Sequence, residues 1–302
     1  MLLLVGDNAF HGISHLSQER AMSRGESATD SKYATGLMKS AFEHGADGFM
    51  FSVSDSTLSI LRGLRDAGVA KELSLFPIVP YAYEYVSLAT RKGVLGIGRR
   101  FLAQSISSTG LGTVARSLRG ALGSDPVALL EAYLRFELSR VRSSVGARVE
   151  PKALLLHEVV TDMALAFDME WLFRSYISFL KSCGVAAGFE TRNFAFLVRK
   201  FQEWGLAEKE LVVATPFNKI GFQMSPSREE CEHALAGAQG LTVIAMSVLA
   251  AGYLTLPEAA EYVARLPNLS GIAVGVSKPQ HALETFTALR GRLQVPSLAE
   301  QA

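Results

Sequence analysis

Eight short apolar runs, each leading into polar residues, set the frame for what this chain can become: LLLVG (2–6), GFMFSV (48–53), LSLFPIV (73–79), ALLLH (153–157), VAAGFE (185–190), LVVATP (211–216), LTVIAMS (241–247) and GIAVGVS (271–277). Their hydrophobicity is continuous rather than alternating. That is what strands covered on both faces require, and helices between them imply parallel pairing. The intervening stretches read as such helices: SKYATGLMKSAFEHGA places Leu37, Met38, Ala41 and Phe42 on one stripe and closes at Gly45, while MEWLFRSYISFLKSCG ends at Gly184 and NFAFLVRKFQEWG at Gly205. Each glycine stands where a C-cap belongs. Eight strand-then-helix units in 302 residues predict an α/β chain folded as one (β/α)8 TIM barrel spanning 1–302. A doubly wound open sheet is the structural alternative, but no G-x-G-x-x-G follows the first run.

One interval breaks the rhythm. About seventy residues separate the third and fourth runs, and they are read as a helical insertion over 87–150. Its first part, 91–123, carries Arg91, Lys92, Arg99, Arg100, Arg116 and Arg119 and no acidic residue. The open readings are a lid whose cations meet an anionic substrate, a solvated helical insertion, or a homo-oligomer contact. The chain as a whole has 30 basic and 29 acidic side chains, a net charge of +1, which gives no argument for a nucleic-acid or membrane partner. Its two cysteines, Cys183 and Cys231, have no C-x-x-C spacing and imply a reducing, cytoplasmic setting. The apolar N-terminal run breaks too early for a signal segment or a bilayer span.

In a barrel, catalytic groups gather where strands end, because all eight C-terminal ends converge on one opening. The polar tips here are Asp7, Asn8 and His11 after strand one; Ser52, Ser54 and Asp55 after strand two; Tyr81, Tyr83 and Glu84 after strand three. Strand four contributes His157 and Glu158, strand five Glu190, Arg192 and Asn193, strand six Thr215, Asn218 and Lys219, strand eight Ser277 and Lys278. So many charged groups in one opening need a ligand, a metal or a proton network to use them. His157, Glu190, Asp7 and His11 are assigned catalytic roles. Asn8, Tyr81, Tyr83, Glu158, Arg192, Asn193, Asn218 and Lys219 are assigned to substrate. His15, four residues past His11, reads as a supporting or surface residue. A divalent metal stays open as an alternative, since Asp7, His11, His157, Glu158 and Glu190 are acceptable zinc or manganese ligands, but no compact ligand motif is present and no residue is assigned to one. Lys219 reads as a cationic contact, with a Schiff-base role as its alternative. In GIAVGVSKPQHALETF, Gly275 permits close backbone approach and Ser277 and Pro279 suit a helix cap and first turn. Its exposed N–H groups with Lys278 would hold a cofactor phosphate; an ordinary capped helix is the other reading.

Taken in order, KALLLHEVV, GFETRNF, ATPFNKIGF, AMSVLAAGYLT and AVGVSKPQHALETF resemble the strand-four to strand-eight segments of the aldo/keto reductase superfamily, over about residues 152–290. The resemblance implies the barrel and NADPH held across its mouth for hydride delivery to a carbonyl, helped by an aspartate, tyrosine, lysine and histidine. Of these four only the histidine carries over, as His157. Where the family pattern would put a tyrosine after strand two the chain reads FSVSDSTLSIL, and where strand three would finish on lysine it reads PIVPYAY. An alkoxide formed by hydride delivery needs a tuned proton donor, which Tyr81 or Tyr83 would have to supply. The leading expectation is therefore lyase or isomerase chemistry on a small anionic carbonyl compound. An NAD(P)H-dependent reductase with an unusual donor is the second, and a barrel that binds a metabolite or partner without turnover is the third.

Overall fold

The computed structural model describes residues 1–11, 30–81, 126–146, 149–206 and 210–293. Its eight strands are β1 (Leu2–Gly6), β2 (Gly48–Ser52), β3 (Ser74–Val79), β4 (Ala153–Leu156), β5 (Ala186–Glu190), β6 (Val212–Pro216), β7 (Thr242–Met246) and β8 (Leu269–Gly275). They pair in parallel and in chain order, and β8 closes on β1, so the sheet is a barrel and the open doubly wound alternative is excluded. All eight coincide with the apolar runs to within two residues.

Why the runs are continuous is visible in the two cores. Leu4, Met50, Phe76, Ile78, Ala153, Leu155, Val212, Ala214, Ile244 and Ala273 fill the barrel interior. The residues between them, such as Leu3, Val5, Phe49, Phe51, Leu154, Phe189, Val213 and Ile272, face the helices. Alternate side chains point to opposite faces and both faces are dry, so polar residues have no place until a strand ends.

The described helices are α1 (Ser31–Glu43), α2 (Asp55–Asp66), α3 (Pro126–Val145), α4 (Glu158–Ala166), α5 (Glu170–Ser182), α6 (Phe194–Glu203), α7 (Arg228–Gly237), α8 (Leu256–Ala264) and α9 (Pro279–Leu293). The chain leaves α5 through Gly184 and α6 through Gly205, at φ +70° and +65°, the left-handed conformation that a Cβ disfavours. Helix α3 packs between α2 and α5. It buries Leu134, Leu138, Val141 and Val145 and serves as the outer helix of the third unit. The basic stretch 91–123, with the rest of 82–125, lies outside the described residues. Between β4 and β5 the chain forms two helices, and α4 sits against β5, α5 and α6. No described helix is long and apolar enough to cross a membrane.

Candidate active site

The inward parity of the strands carries through to their ends. Ala153 and Leu155 point into the barrel, so His157 does too; Met50 is followed by Ser52 and Ala186 by Glu190. These tips open a cavity of about 540 Å³ at the C-terminal end of the barrel, a size suited to a small molecule. Its polar wall is Asp7, Asn8, Ser52, His157, Glu158, Glu190 and Arg192. Pro216, Met246, Val248, Leu249, Ala273 and Gly275, from strands β6 to β8, form an apolar wall, while Met50 and Ile78 reach it from β2 and β3.

His157 is the N-cap of α4: its Nδ1 accepts the Val159 amide at 3.2 Å. A ring nitrogen that accepts cannot hold the proton, so the proton of the neutral imidazole sits on Nε2. Burial lowers the His157 pKa below 6.5 and Arg192 adds to this, against the opposing pull of Glu158 and Asp7. Glu190 is shifted the other way. Burial, then the negative charges of Glu158 and Asp7, raise it to about 8, although Arg192 and the Glu158 amide oppose the shift. That amide donates to Glu190 Oε2 at 3.3 Å. The first two N–H groups of α4 thus hold the two groups whose protonation the site perturbs, one each, and near neutrality both groups are predominantly uncharged.

Helix α4 also supplies Glu158, whose carboxylate takes Arg192 in a two-point bond, Nε to Oε2 at 2.8 Å and Nη2 to Oε1 at 2.5 Å. Arg192 is therefore committed largely to Glu158 rather than open to an anion. Opposite them, Asp7 is 5% exposed and accepts the Ser52 amide at 2.6 Å, which ties the end of β1 to that of β2.

Other expected site residues stand elsewhere. Asn218 is fully buried and closes its own loop, its Nδ2 donating to Phe222 O at 2.8 Å and its Oδ1 accepting the Phe222 amide at 2.7 Å. Lys219 is exposed and lies 3.7 Å from Glu258. Asn193 does not line the cavity, and its backbone amide donates to Thr191 Oγ1 at 2.9 Å. Tyr81 and the exposed Lys278 do not line the cavity, whereas Gly275 and Ser277 do. Ser54 caps α2, and Asp55 pairs with Arg140 at 2.9 Å. Thr215 is buried outside the cavity wall. Tyr83, Glu84 and His15 lie outside the described residues, as does the side chain of His11. Among the described residues, no three His, Cys, Asp or Glu side chains come together as a metal would need. Gln223 and Ser247 line the cavity without having been singled out. Both adopt left-handed backbone, at φ 60° and 50°, and Ser247 Oγ approaches Gln223 Oε1 at 3.4 Å. They sit on loops, where no strand parity signals direction.

No protein-family model and no curated protein matches the sequence. Among solved structures, the chain is similar to a protein from Pseudomonas aeruginosa described as an aldo-keto reductase, at 14% identity and a TM-score of 0.60, covering 97% of this chain and 91% of that one. It is also similar to an aldo-keto reductase from Bacillus halodurans in its holo form, at 12% identity and a TM-score of 0.52, over 93% of this chain and 87% of the other. A third likeness is to an aldo/keto reductase from Klebsiella pneumoniae in complex with NADP and acetate, at 11% identity and a TM-score of 0.52, over 99% and 88% of the two chains. What these likenesses share with the chain is the fold, a closed parallel eight-stranded barrel ringed by helices.

Proposed function

We propose that this chain is an enzyme that moves a proton next to the carbonyl of a small polar molecule, an isomerase or lyase in reaction type. One observation carries the reading: His157 and Glu190, from adjacent strands, face one cavity in complementary protonation states. Neutral His157 offers Nε2–H to the carbonyl oxygen. Glu190, in the fraction ionised, takes the α-proton as a general base and returns it to carbon or to a leaving group. Asp7 holds the β1 and β2 ends in place, and Glu158 with Arg192 frames the polar wall. Among the described lining residues Asp7 and Glu158 stand with Arg192.

The test is solvent-deuterium incorporation at the α-carbon across a panel of hydroxy-aldehydes, hydroxy-ketones and 2-oxo acids, followed by proton NMR. Exchange should rise with pH along a limb centred at about 8, the Glu190 value. Glu190→Gln should lower it by roughly 10²–10⁴-fold. A variant with full exchange would remove Glu190 from the chemistry.

A second reading, NAD(P)H-dependent carbonyl reduction, is favoured by Gly275 and Ser277, which line the same cavity just before α9 and would hold the cofactor phosphates. The cofactor supplies hydride when bound. Tyr81 stands away from the cavity wall and Tyr83 lies outside the described residues; among the described lining residues, Glu190 or His157 would give the carbonyl oxygen its proton. Micromolar NADPH binding, read by fluorescence, would promote this reading over the first.

A further inference from the structure

Asp162 is absent from the cavity wall, yet the β5 turn reaches for it. Thr191 Oγ1 donates to its Oδ1, and the Arg192 amide donates to its Oδ2 at 3.2 Å. Thr191 is fully buried, and its Oγ1 in turn accepts the Asn193 amide at 2.9 Å. Donors from two consecutive residues thus converge on one side chain, with the third held through Thr191 Oγ1, and a carboxylate, with two oxygens and no donor, can accept both. Asp162 lies four residues after Glu158, on the same face of α4. The two acids grip one residue: Glu158 takes the Arg192 guanidinium and Asp162 the Arg192 backbone. At the start of the same helix, backbone N–H groups hold Glu190 and His157.

We propose that Asp162 is a positioning residue of this site: by clamping the Thr191–Asn193 turn to α4, it fixes Glu190 and Arg192 against His157. This deepens the acid–base reading and rests on it for its functional meaning. Loss of the clamp lets the turn move off α4 and admits water beside Glu190, whose ionisation the dry setting suppresses.

The test follows the Glu190 carboxyl by ¹³C NMR in the full chain, with Glu190→Gln assigning the resonance. The groups facing Glu190, namely Glu158 on α4, Asp7 after β1, His157 after β4 and Arg192 after β5, are kept in every variant. Asp162→Ala should lower the Glu190 midpoint from about 8 by about one unit, tenfold in proton affinity. Asp162→Asn should shift it less, because the amide oxygen keeps part of the turn. An unmoved midpoint in folded Asp162→Ala overturns the proposal. Should that variant not fold, Thr191→Val removes the buried hydroxyl and leaves the carboxylate in place, and it must move the midpoint in the same direction or the proposal fails. The two readings separate cleanly: full deuterium exchange by Glu190→Gln defeats the acid–base reading, while the titration still decides whether Asp162 positions the turn.

Discussion

At the scale of single residues, the site is an argument about protons. Glu190 holds its proton up to about 8 in the folded chain, against an ordinary glutamate value of 4.5. A folded-state pKa above the unfolded one gives stability that is complete below the unfolded value and is lost as pH climbs through the folded one. Glu190→Gln cannot ionise, so relative to the parent it should gain roughly 4 kcal/mol between pH 5 and pH 8.5, read from urea midpoints at the two pH values. Equal differences at both would mean that Glu190 is solvated like a surface acid. His157 works in the opposite sense. Its depressed pKa makes the fold lose stability as pH falls below 6.5, where the unfolded chain takes a proton that the buried imidazole, beside Arg192, resists. His157 and Glu190 were legible in the sequence because each closes an apolar run and strand parity aims it inward, and Asp7 because it directly follows one, although its parity is that of the helix-facing Leu3 and Val5. Asp162 was not: it stands within α4, with nothing in the helical pattern to mark a polar residue that reaches another strand's turn. Asn218, Lys219 and Asn193 misled for the complementary reason, since loop residues have no periodicity to fix their direction.

Elements were easier to read than residues, because an apolar run or stripe is an average over many side chains. At α3 the structure adds detail to the sequence reading. Within the long stretch between β3 and β4 this helix packs between α2 and α5, and its position is sealed by polar contacts, one of them buried. Arg140, with 5% side-chain exposure, donates to Glu137, with 1%, at 2.9 Å and reaches Asp55 at the start of α2, also at 2.9 Å. A buried pair of this kind stabilises little beyond an apolar replacement, but losing one member removes a counterion from a charge that stays buried. Arg140→Met should therefore cost about 3–5 kcal/mol in chemical unfolding, and Glu137→Leu with Arg140→Met should recover most of that loss. If the double variant is no more stable than the single, the pair contributes something that packing cannot replace. Sequence periodicity could not show this, because Glu137 and Arg140 break the apolar face of the helix and read as its solvent side.

For the whole molecule, the site exists only because the sheet closes. Asp7, His157 and Glu190 come from β1, β4 and β5, and no open sheet would bring their strand ends around one cavity. Closure depends on backbone approach at a few points, of which Gly48 at the start of β2 is the tightest. A Cβ there would lie 2.0 Å from Ser74 O and 2.8 Å from Ser74 C, both backbone atoms of β3 in the pairing register. No rotamer change relieves that clash, so β2 must move away from β3. Gly36, inside α1, is the control: a Cβ there meets nothing within 4 Å. Gly36→Ala should raise stability by roughly 0.4–1 kcal/mol, the ordinary return for replacing a helical glycine. Gly48→Ala should cost about 3 kcal/mol or more, and it should reduce cavity-dependent activity alongside stability, because the ends of β2 and β1 are joined through Asp7 and the Ser52 amide. Thermal unfolding and deuterium exchange measured on both variants decide the matter. If Gly48→Ala unfolded at the parental temperature, strand spacing at the bottom of the barrel would not be what holds its mouth in register.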